Sequence, residues 1–140
     1  TFRGFATITF YADDLAAARD WYTELLGLEP YFAFPEAPAA PAYIEFRVGD
    51  DEDELGFVDR KYAPAAATGT PGGAIMNWHV DDVAGTLATL LAWAHDEPLT
   101  PRGDSGFVTA SVVDPFGNVL GIMHNPHYLE ILAARASSPS

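Results

Sequence analysis

The chain contains no cysteine among its 140 residues. Disulfide frameworks, cysteine zinc sites, iron–sulfur clusters and thiol nucleophiles are therefore excluded, and His, Asp and Glu remain as metal ligands. Basic residues are also scarce: 7 Lys and Arg stand against 20 Asp and Glu, for a formal net charge of -13. Such a charge repels nucleic acid and anionic membrane surfaces and attracts cations. Neither nucleic acid nor a membrane is an expected partner.

Long apolar runs are missing as well. Gly, Asp or Thr interrupts each apolar stretch before the roughly 18 residues that a membrane-spanning helix needs. The first residues show no basic segment followed by an apolar one. We therefore expect a cytoplasmic protein. With 49% hydrophobic residues, the chain has enough apolar side chain for the core of one soluble domain over residues 1–140.

An internal repeat organises the sequence. Residues 8–16 align with residues 76–84, apolar position on apolar position, and residues 55–57 align with residues 120–122. Each copy opens with alternating apolar and polar residues, which is typical of a half-buried strand. An Asp pair and an amphipathic helix follow in each copy.

Three short strand-like runs come after each predicted helix. They cover residues 29–34, 42–48 and 54–59 in the first copy and 97–101, 106–113 and 118–124 in the second. The sequence thus predicts an α+β fold in which two tandem βαβββ modules, 5–61 and 74–124, form a concave mixed sheet. Residues 125–140 are predicted as a C-terminal short helix and tail, with residues 137–140 disordered. Residues 35–41 and 62–73, rich in Pro, Ala and Gly, are predicted as loops.

Several residues mark the ends of these elements. Asp14 and Asp82 are predicted helix N-caps, and Gly27 is a predicted C-terminal stop. Residues 114–118, Asp-Pro-Phe-Gly-Asn, have the composition of a tight hairpin turn. Asn125 followed by Pro126 is typical of a helix start.

The repeat, the order of its elements and the final Asp-Pro-Phe-Gly-Asn hairpin together resemble the vicinal oxygen chelate superfamily. This family includes glyoxalase I, bleomycin resistance proteins and extradiol dioxygenases. The resemblance covers about residues 5–124 and implies the two-module fold.

Metal-dependent members of this family place one ligand near the start of the first strand and another on the last strand of each module, typically His or Gln and Glu. The matching positions here hold Thr7, Gly56 (or Phe57 with a one-residue slip), Ile75 and Gly121. Ile and Gly side chains supply no donor atom to a divalent ion. The resemblance therefore implies the fold without the metal, and we expect no metal or other cofactor.

Strand alternation separates the side chains that pack on the helices from those that face the concavity. The helix-facing set is predicted to be Ile8, Phe10, Ile44, Phe46, Val48, Met76, Trp78 and Val80. The candidate ligand-binding residues on the opposite face are Thr7, Thr9, Tyr11, Tyr43, Glu45, Arg47, Asn77, His79, Thr109, Ser111 and Met123. Aromatic rings, hydroxyls, an amide, an imidazole and one acid–base pair suit a mid-sized organic ligand.

Structural roles compete with these functional ones. Glu45 and Arg47, two residues apart on one strand, more often neutralise each other or a cross-strand partner than act in catalysis. His79 at a strand end is more often a hydrogen-bonded structural histidine than a proton carrier. His124 and His127 suggest capping or an interface, since two histidines alone are a weak metal signal. Trp21, Trp78 and Trp93 are predicted to pack in or near the core. His95 is predicted to lie at the end of a helix.

Three functions stay open. The first is a metal-free binding protein that sequesters a small hydrophobic or cationic compound, as the resemblance to bleomycin resistance proteins implies. The second is a metal-independent lyase or isomerase in which Tyr11 or His79 moves a proton with Glu45 as partner. The third is a metal-dependent glyoxalase or dioxygenase with displaced ligands. No catalytic residue is assigned, and a homodimer is expected because family members of this length usually pair.

Overall fold

The computed structural model describes residues 3, 5–64, 75–92, 95–96, 100–101 and 106–137, with the backbone alone for 95–96 and 100–101. The chain divides into two compact units, Thr1–Thr70 and Pro71–Ser140, here called the first and second units. None of the helices in the described ranges has both the length and the apolar character needed to cross a membrane.

The first unit is a βαβββ module with a four-stranded sheet. Its order is β1-β4-β3-β2, in which β1 runs parallel to β4 and the other pairs are antiparallel. A short 3-10 turn, Arg60–Tyr62, follows the last strand. The elements are β1 (Thr7–Ala12), α1 (Leu15–Leu26), β2 (Phe32–Phe34), β3 (Tyr43–Val48) and β4 (Asp53–Asp59).

The second unit repeats this arrangement with its second strand in two short pieces. Its sheet has the order β5-β9-β8-β6, and β7 also pairs with β8. The elements are β5 (Met76–His79), α2 (Val83–Leu91), β6 (His95–Asp96), β7 (Thr100–Pro101), β8 (Val108–Val113), β9 (Val119–His124) and α3 (Pro126–Ala136). The predicted α+β fold of two βαβββ modules is confirmed.

Local side chains fix the ends of the helices as predicted. Asp14 accepts a hydrogen bond from the Ala17 N–H, and Asp82 accepts one from the Gly85 N–H, each at 3.0 Å. Gly27 ends α1 with a φ of 67°, a left-handed conformation that favours glycine. Asn125 caps α3 ahead of Pro126. These contacts satisfy backbone groups that the first and last helical turns leave unpaired.

An aromatic cluster forms the core of the first unit. The Phe57 ring on β4 lies 4.5 Å from the ring of Tyr22 on α1, 5.8 Å from Phe10 and 6.0 Å from Phe46, measured between centroids. Tyr22, Phe46 and Phe57 are fully buried. Of the two neighbouring aromatic residues on α1, Tyr22 is therefore the core residue, while Trp21 is half-buried.

Aliphatic side chains form the core of the second unit. The buried residues there include Leu87 and Leu90 on α2, Val112 on β8 and Ile122 on β9. Trp78 on β5, predicted to pack on the helix, is only half-buried. The two units therefore share a topology but not a core composition.

Some predicted boundaries are wrong. β2 begins at Phe32 rather than residue 29, because Pro30 has no N–H to offer to a sheet. β8 begins at Val108 rather than residue 106, because Gly106 has a φ of 86° that a strand does not use. His95 lies in a strand and not at a helix end, since α2 stops at Leu91.

Three other features of the second unit also differ from the prediction or extend it. In place of one strand over 97–101, the structure has β6 and β7, and residues 97–99 lie outside the described residues. Leu91 is 40% exposed, because a residue directly after buried Leu90 points about 100° away around the helix. The C-terminal helix reaches Ala136 and ends at Ser137. Trp93, most of the 62–73 loop and residues 138–140 lie outside the described residues.

Candidate functional site

One face of the first unit's sheet carries polar and aromatic side chains. The residues that pack toward α1, such as Phe10, Phe46 and Phe57, alternate with residues that point to the opposite face. The strand register places Thr9, Gly56, Glu45 and Phe32 in one row across that face. The sequence-predicted candidates on it are Thr7, Thr9, Tyr11, Tyr43, Glu45 and Arg47.

Glu45 is the centre of this face. Its residue is only 7% exposed, and its two carboxylate oxygens accept hydrogen bonds from the hydroxyls of Tyr31 and Tyr43. We call these three residues the Tyr-Glu-Tyr cluster. Hydrogen bonds to an ionised acceptor are stronger than neutral ones, so the two phenols hold the carboxylate in a defined position.

Two further charges border the Tyr-Glu-Tyr cluster. Glu54 Oε1 lies 3.3 Å from the Tyr31 hydroxyl oxygen, and Glu54 Oε2 accepts a hydrogen bond from the Thr7 hydroxyl at 2.8 Å. The Arg47 guanidinium carbon lies 4.2 Å from the centroid of the Tyr31 ring, a cation–π contact. Of the two alternatives that the sequence left for Glu45 and Arg47, a mutual pair is not found, because Arg47 stacks on the Tyr31 ring and lies opposite Glu54 in the strand register.

The same contacts hold both phenols in their neutral form. The hydrogen bond to Glu45 raises the pKa of Tyr31 above its ordinary value. Burial, together with the hydrogen bond to Glu45, raises the pKa of Tyr43. Both side chains therefore remain hydrogen-bond donors through the neutral pH range.

Tyr31 is the member of this cluster that the sequence did not indicate. It lies in the predicted strand 29–34, whose residues were assigned to neither face, and directly before β2 in the structure. Its N–H donates to the Glu45 carbonyl at 3.0 Å, which brings its side chain to Glu45. Phe32 and Phe34 on β2 share the polar face and are 46% and 63% exposed. The signal that could have found these residues is the Tyr31–Phe34 aromatic run at the sheet edge.

The second unit presents a comparable face. The strand register forms two rows across this face. One row contains Asn77, Gly121 and Ser111, and the other contains His79, Met123 and Thr109. These five predicted candidates, Asn77, His79, Thr109, Ser111 and Met123, therefore lie on one face of that sheet. Asn77 is exposed, and the other four range from half-buried to nearly buried.

His79 is tied to the start of α3. Its Nδ1 accepts the Asn125 N–H at 3.1 Å, and its ring stacks on the Tyr128 ring at 4.6 Å with an interplanar angle of 11°. An accepting Nδ1 places the proton of the neutral ring on Nε2. Asp81 Oδ1 lies 3.6 Å from Nε2. These contacts match the structural histidine that the sequence analysis favoured.

The other histidines on β9 and α3 also make local contacts. His124 Nδ1 lies 3.2 Å from the Val80 carbonyl oxygen, which can only accept, so this nitrogen carries the proton. His127 Nδ1 lies 3.7 Å from the Glu130 carboxylate on the exposed side of α3. Within the described parts of the chain, no three His, Asp or Glu side chains are grouped as metal ligands.

The model of the Glyoxalase/Bleomycin resistance protein/Dioxygenase superfamily matches residues 4–122. The chain belongs to this superfamily. No curated protein sequence matches the chain.

Several solved structures share the fold of this chain. A lactoylglutathione lyase from Agrobacterium tumefaciens is 22% identical, with a TM-score of 0.65 over 91% of this chain and 98% of that one. TnmS3, an antibiotic binding protein from Streptomyces sp. CB03234, is 21% identical, with a TM-score of 0.64 over 88% and 96% of the two chains. A bleomycin resistance determinant encoded on the transposon Tn5 is 19% identical, with a TM-score of 0.58 over 89% and 99%.

Within the described residues, the two last-strand positions at which the resemblance implies metal ligands hold Gly56 and Gly121, and neither supplies a donor atom. A side-chain carbon on Gly56 would lie 2.7 Å from the Tyr43 hydroxyl and 2.8 Å from its ring. A side-chain carbon on Gly121 would lie 2.9 Å from both Asn77 Cγ and Ile75 Cγ2. The Tyr43 side chain thus occupies the space that a ligand at Gly56 would need, whereas the exposed Asn77 and Ile75 side chains near Gly121 can move.

Gly56→Ala is expected to destabilise the protein by about 1–3 kcal/mol, as overpacking does in a tight site. Tyr43 cannot swing aside without losing its bond to Glu45. In a Tyr43→Ala background the same substitution should cost much less, which a double-mutant cycle of denaturant unfolding measures. The control is Gly121→Ala, where Asn77 and Ile75 are exposed and can move. Equal destabilisation by Gly56→Ala and Gly121→Ala would contradict the close packing of Tyr43 on Gly56.

The phenols of the Tyr-Glu-Tyr cluster are expected to ionise at higher pH than exposed tyrosines, which titrate near 10. Because folding favours their neutral form, their contribution to stability is complete below pH about 10 and is lost as pH rises further. Tyrosine ring signals followed by NMR during an alkaline titration provide the measurement. Glu45→Gln should lower both pKa values. Ionisation of Tyr31 and Tyr43 at the ordinary pKa in the unmodified protein would show that the cluster does not form.

Proposed function

We propose that this chain binds and sequesters a small hydrophobic or cationic organic compound without a metal. The observation that carries the proposal is the Tyr43 side chain lying over Gly56 and donating to Glu45. At the last-strand position where the resemblance implies a metal ligand, this chain has Gly56, and the Tyr43 side chain of the neighbouring strand lies over it. Such a site is suited to an organic molecule rather than to a metal ion.

The composition of the two sheet faces supports the same function. The face of the first unit combines the exposed rings of Phe32 and Phe34 with the carboxylate of Glu45. Taken by itself, the face of the second unit carries Asn77 and Ser111, which offer hydrogen-bonding groups. Ligand sites typically combine aromatic area for affinity with a few polar groups for orientation.

An acid–base enzyme is the alternative, and one nitrogen of His79, one of its two candidate proton carriers, is already occupied. His79 Nδ1 accepts the Asn125 N–H, and the second imidazole nitrogen is buried without a hydrogen-bond partner in the described part of the chain. In the first unit both carboxylate oxygens of Glu45 accept hydrogen bonds from Tyr31 and Tyr43. The binding function therefore has the stronger support.

We further propose that the protein acts as a homodimer. Among the described strands of the first unit, β2 pairs with β3 alone, and an open strand edge favours association with another chain. Light scattering at micromolar concentration tests this state. A concentration-independent mass near 15.1 kDa would contradict it.

A binding screen tests the proposed function. The purified protein is titrated calorimetrically with aromatic and cationic natural products, including bleomycin, with and without a chelator. We expect at least one compound to bind with unchanged affinity in the chelator and to be recovered unaltered by mass spectrometry. Binding that the chelator abolishes would overturn the metal-free site, and a chemically converted compound would favour the enzyme.

A further inference from the structure

Glu45 is a buried carboxylate without a counter-charge. Its residue is 7% exposed, yet none of the ion pairs within the described ranges includes it. Burying an ionised carboxylate is costly unless it is both hydrogen-bonded and paired with a cation. Tyr31 and Tyr43 supply the hydrogen bonds but carry no charge. A cationic partner is the component that the site lacks.

The Tyr-Glu-Tyr cluster has unused acceptor capacity for such a partner. A carboxylate offers about four acceptor directions, of which the two phenols use two. Tyr31 and Phe32 are each 46% exposed, so solvent reaches the edge of the cluster. A group with several N–H donors can therefore approach Glu45 beside aromatic surface.

The charges around the cluster also favour a cation. Glu54 lies 3.3 Å from the Tyr31 hydroxyl, so two carboxylates flank one phenol. Arg47 is the neighbouring cation, and it stacks on the Tyr31 ring instead of contacting Glu45. Its position shows that this ring surface accommodates a guanidinium group. Two negative charges against one positive leave the site net negative.

We propose that Glu45, held between Tyr31 and Tyr43, binds a protonated amine of the ligand. This inference rests on the proposed binding function and narrows its ligand class to amines that carry an aromatic or other apolar group. The ammonium donates to the Glu45 carboxylate, and the apolar part packs on Phe32. Arg47 is a resident cation that weakens this binding by repulsion.

A matched pair of probes tests the amine site. The probes are 2-naphthylmethylammonium and its neutral analogue 2-naphthylmethanol, titrated calorimetrically at one ionic strength. We expect the ammonium to bind about tenfold more tightly than the alcohol, as a charge-assisted hydrogen bond does. Glu45→Gln should remove most of that difference. Glu130→Gln, the same charge change at an exposed position on α3, is the control and should preserve it.

A second variant keeps the test decisive if Glu45→Gln does not fold. Arg47→Met removes an exposed cation and should tighten ammonium binding a few-fold, whereas Arg19→Met on α1 should leave it unchanged. Equal affinities for the two probes, or no effect of Arg47→Met, would overturn the amine site and leave the binding function standing. Failure of the ammonium, the alcohol and every compound of the wider screen to bind would overturn both.

Discussion

Replacing Phe57 by Ala is expected to lower the free energy of unfolding by about 3–5 kcal/mol, the usual cost of deleting a fully buried aromatic ring. Phe57 has no exposed surface, and its ring contacts Phe10, Tyr22 and Phe46. The substitution leaves a cavity between α1 and the first unit's sheet that these three rings cannot fill without moving. Denaturant unfolding of both proteins measures the loss.

Phe34→Ala is the matched control for this prediction. Phe34 is 63% exposed, so its removal should change stability by less than about 0.5 kcal/mol. If Phe34→Ala were the more destabilising of the two, the assignment of the two faces of the first unit's sheet would be reversed. The polar face that contains Glu45 would then be wrong as well.

Asp114→Ala is expected to destabilise the protein by about 2–4 kcal/mol, because a buried charged acceptor is lost and its donors are left without it. Asp114 is 3% exposed and accepts the Phe116 N–H at 3.0 Å, the Asn118 N–H at 2.7 Å and the Asn118 amide at 3.0 Å. These bonds form the hairpin between β8 and β9, which carries Ser111 and Met123. Thermal melts and chemical denaturation give the measurement.

Two other substitutions distinguish the loss of the Asp114 hydrogen bonds from the loss of a negative charge alone. Asp114→Asn keeps one acceptor oxygen and should cost less than Asp114→Ala. Asp81→Ala removes a carboxylate whose side chain is 96% exposed and should be nearly neutral. A neutral outcome for Asp114→Ala would mean that the hairpin does not depend on this carboxylate.

Much of the fold was predictable because its signals are local. A strand alternates faces every residue, so the sequence alone separates Phe10 and Phe46 from Thr9 and Glu45. Helix caps depend on one side chain and an N–H a few residues away, which is why Asp14 and Asp82 were found. The hairpin at residues 114–118 depends likewise on adjacent residues.

The candidate site was predictable only in part because its contacts are not local. Tyr31 reaches Glu45 across 14 residues, and Tyr43 covers Gly56 through the register of two strands. His79 accepts an N–H from Asn125, 46 residues away. Alternation gives the face of a residue but not its cross-strand neighbour, so the two phenols that donate to Glu45 were not predicted.

The most direct test of the metal-free binding site is an NMR titration of the isotope-labelled, chelator-treated protein with 2-naphthylmethylammonium. We expect saturable shifts of the Tyr31, Tyr43 and Glu45 side-chain signals, with contacts between the naphthyl protons and Phe32, and loss of these shifts in Glu45→Gln. Binding that requires added zinc or manganese, or shifts confined to residues outside the Tyr-Glu-Tyr cluster, would contradict the account.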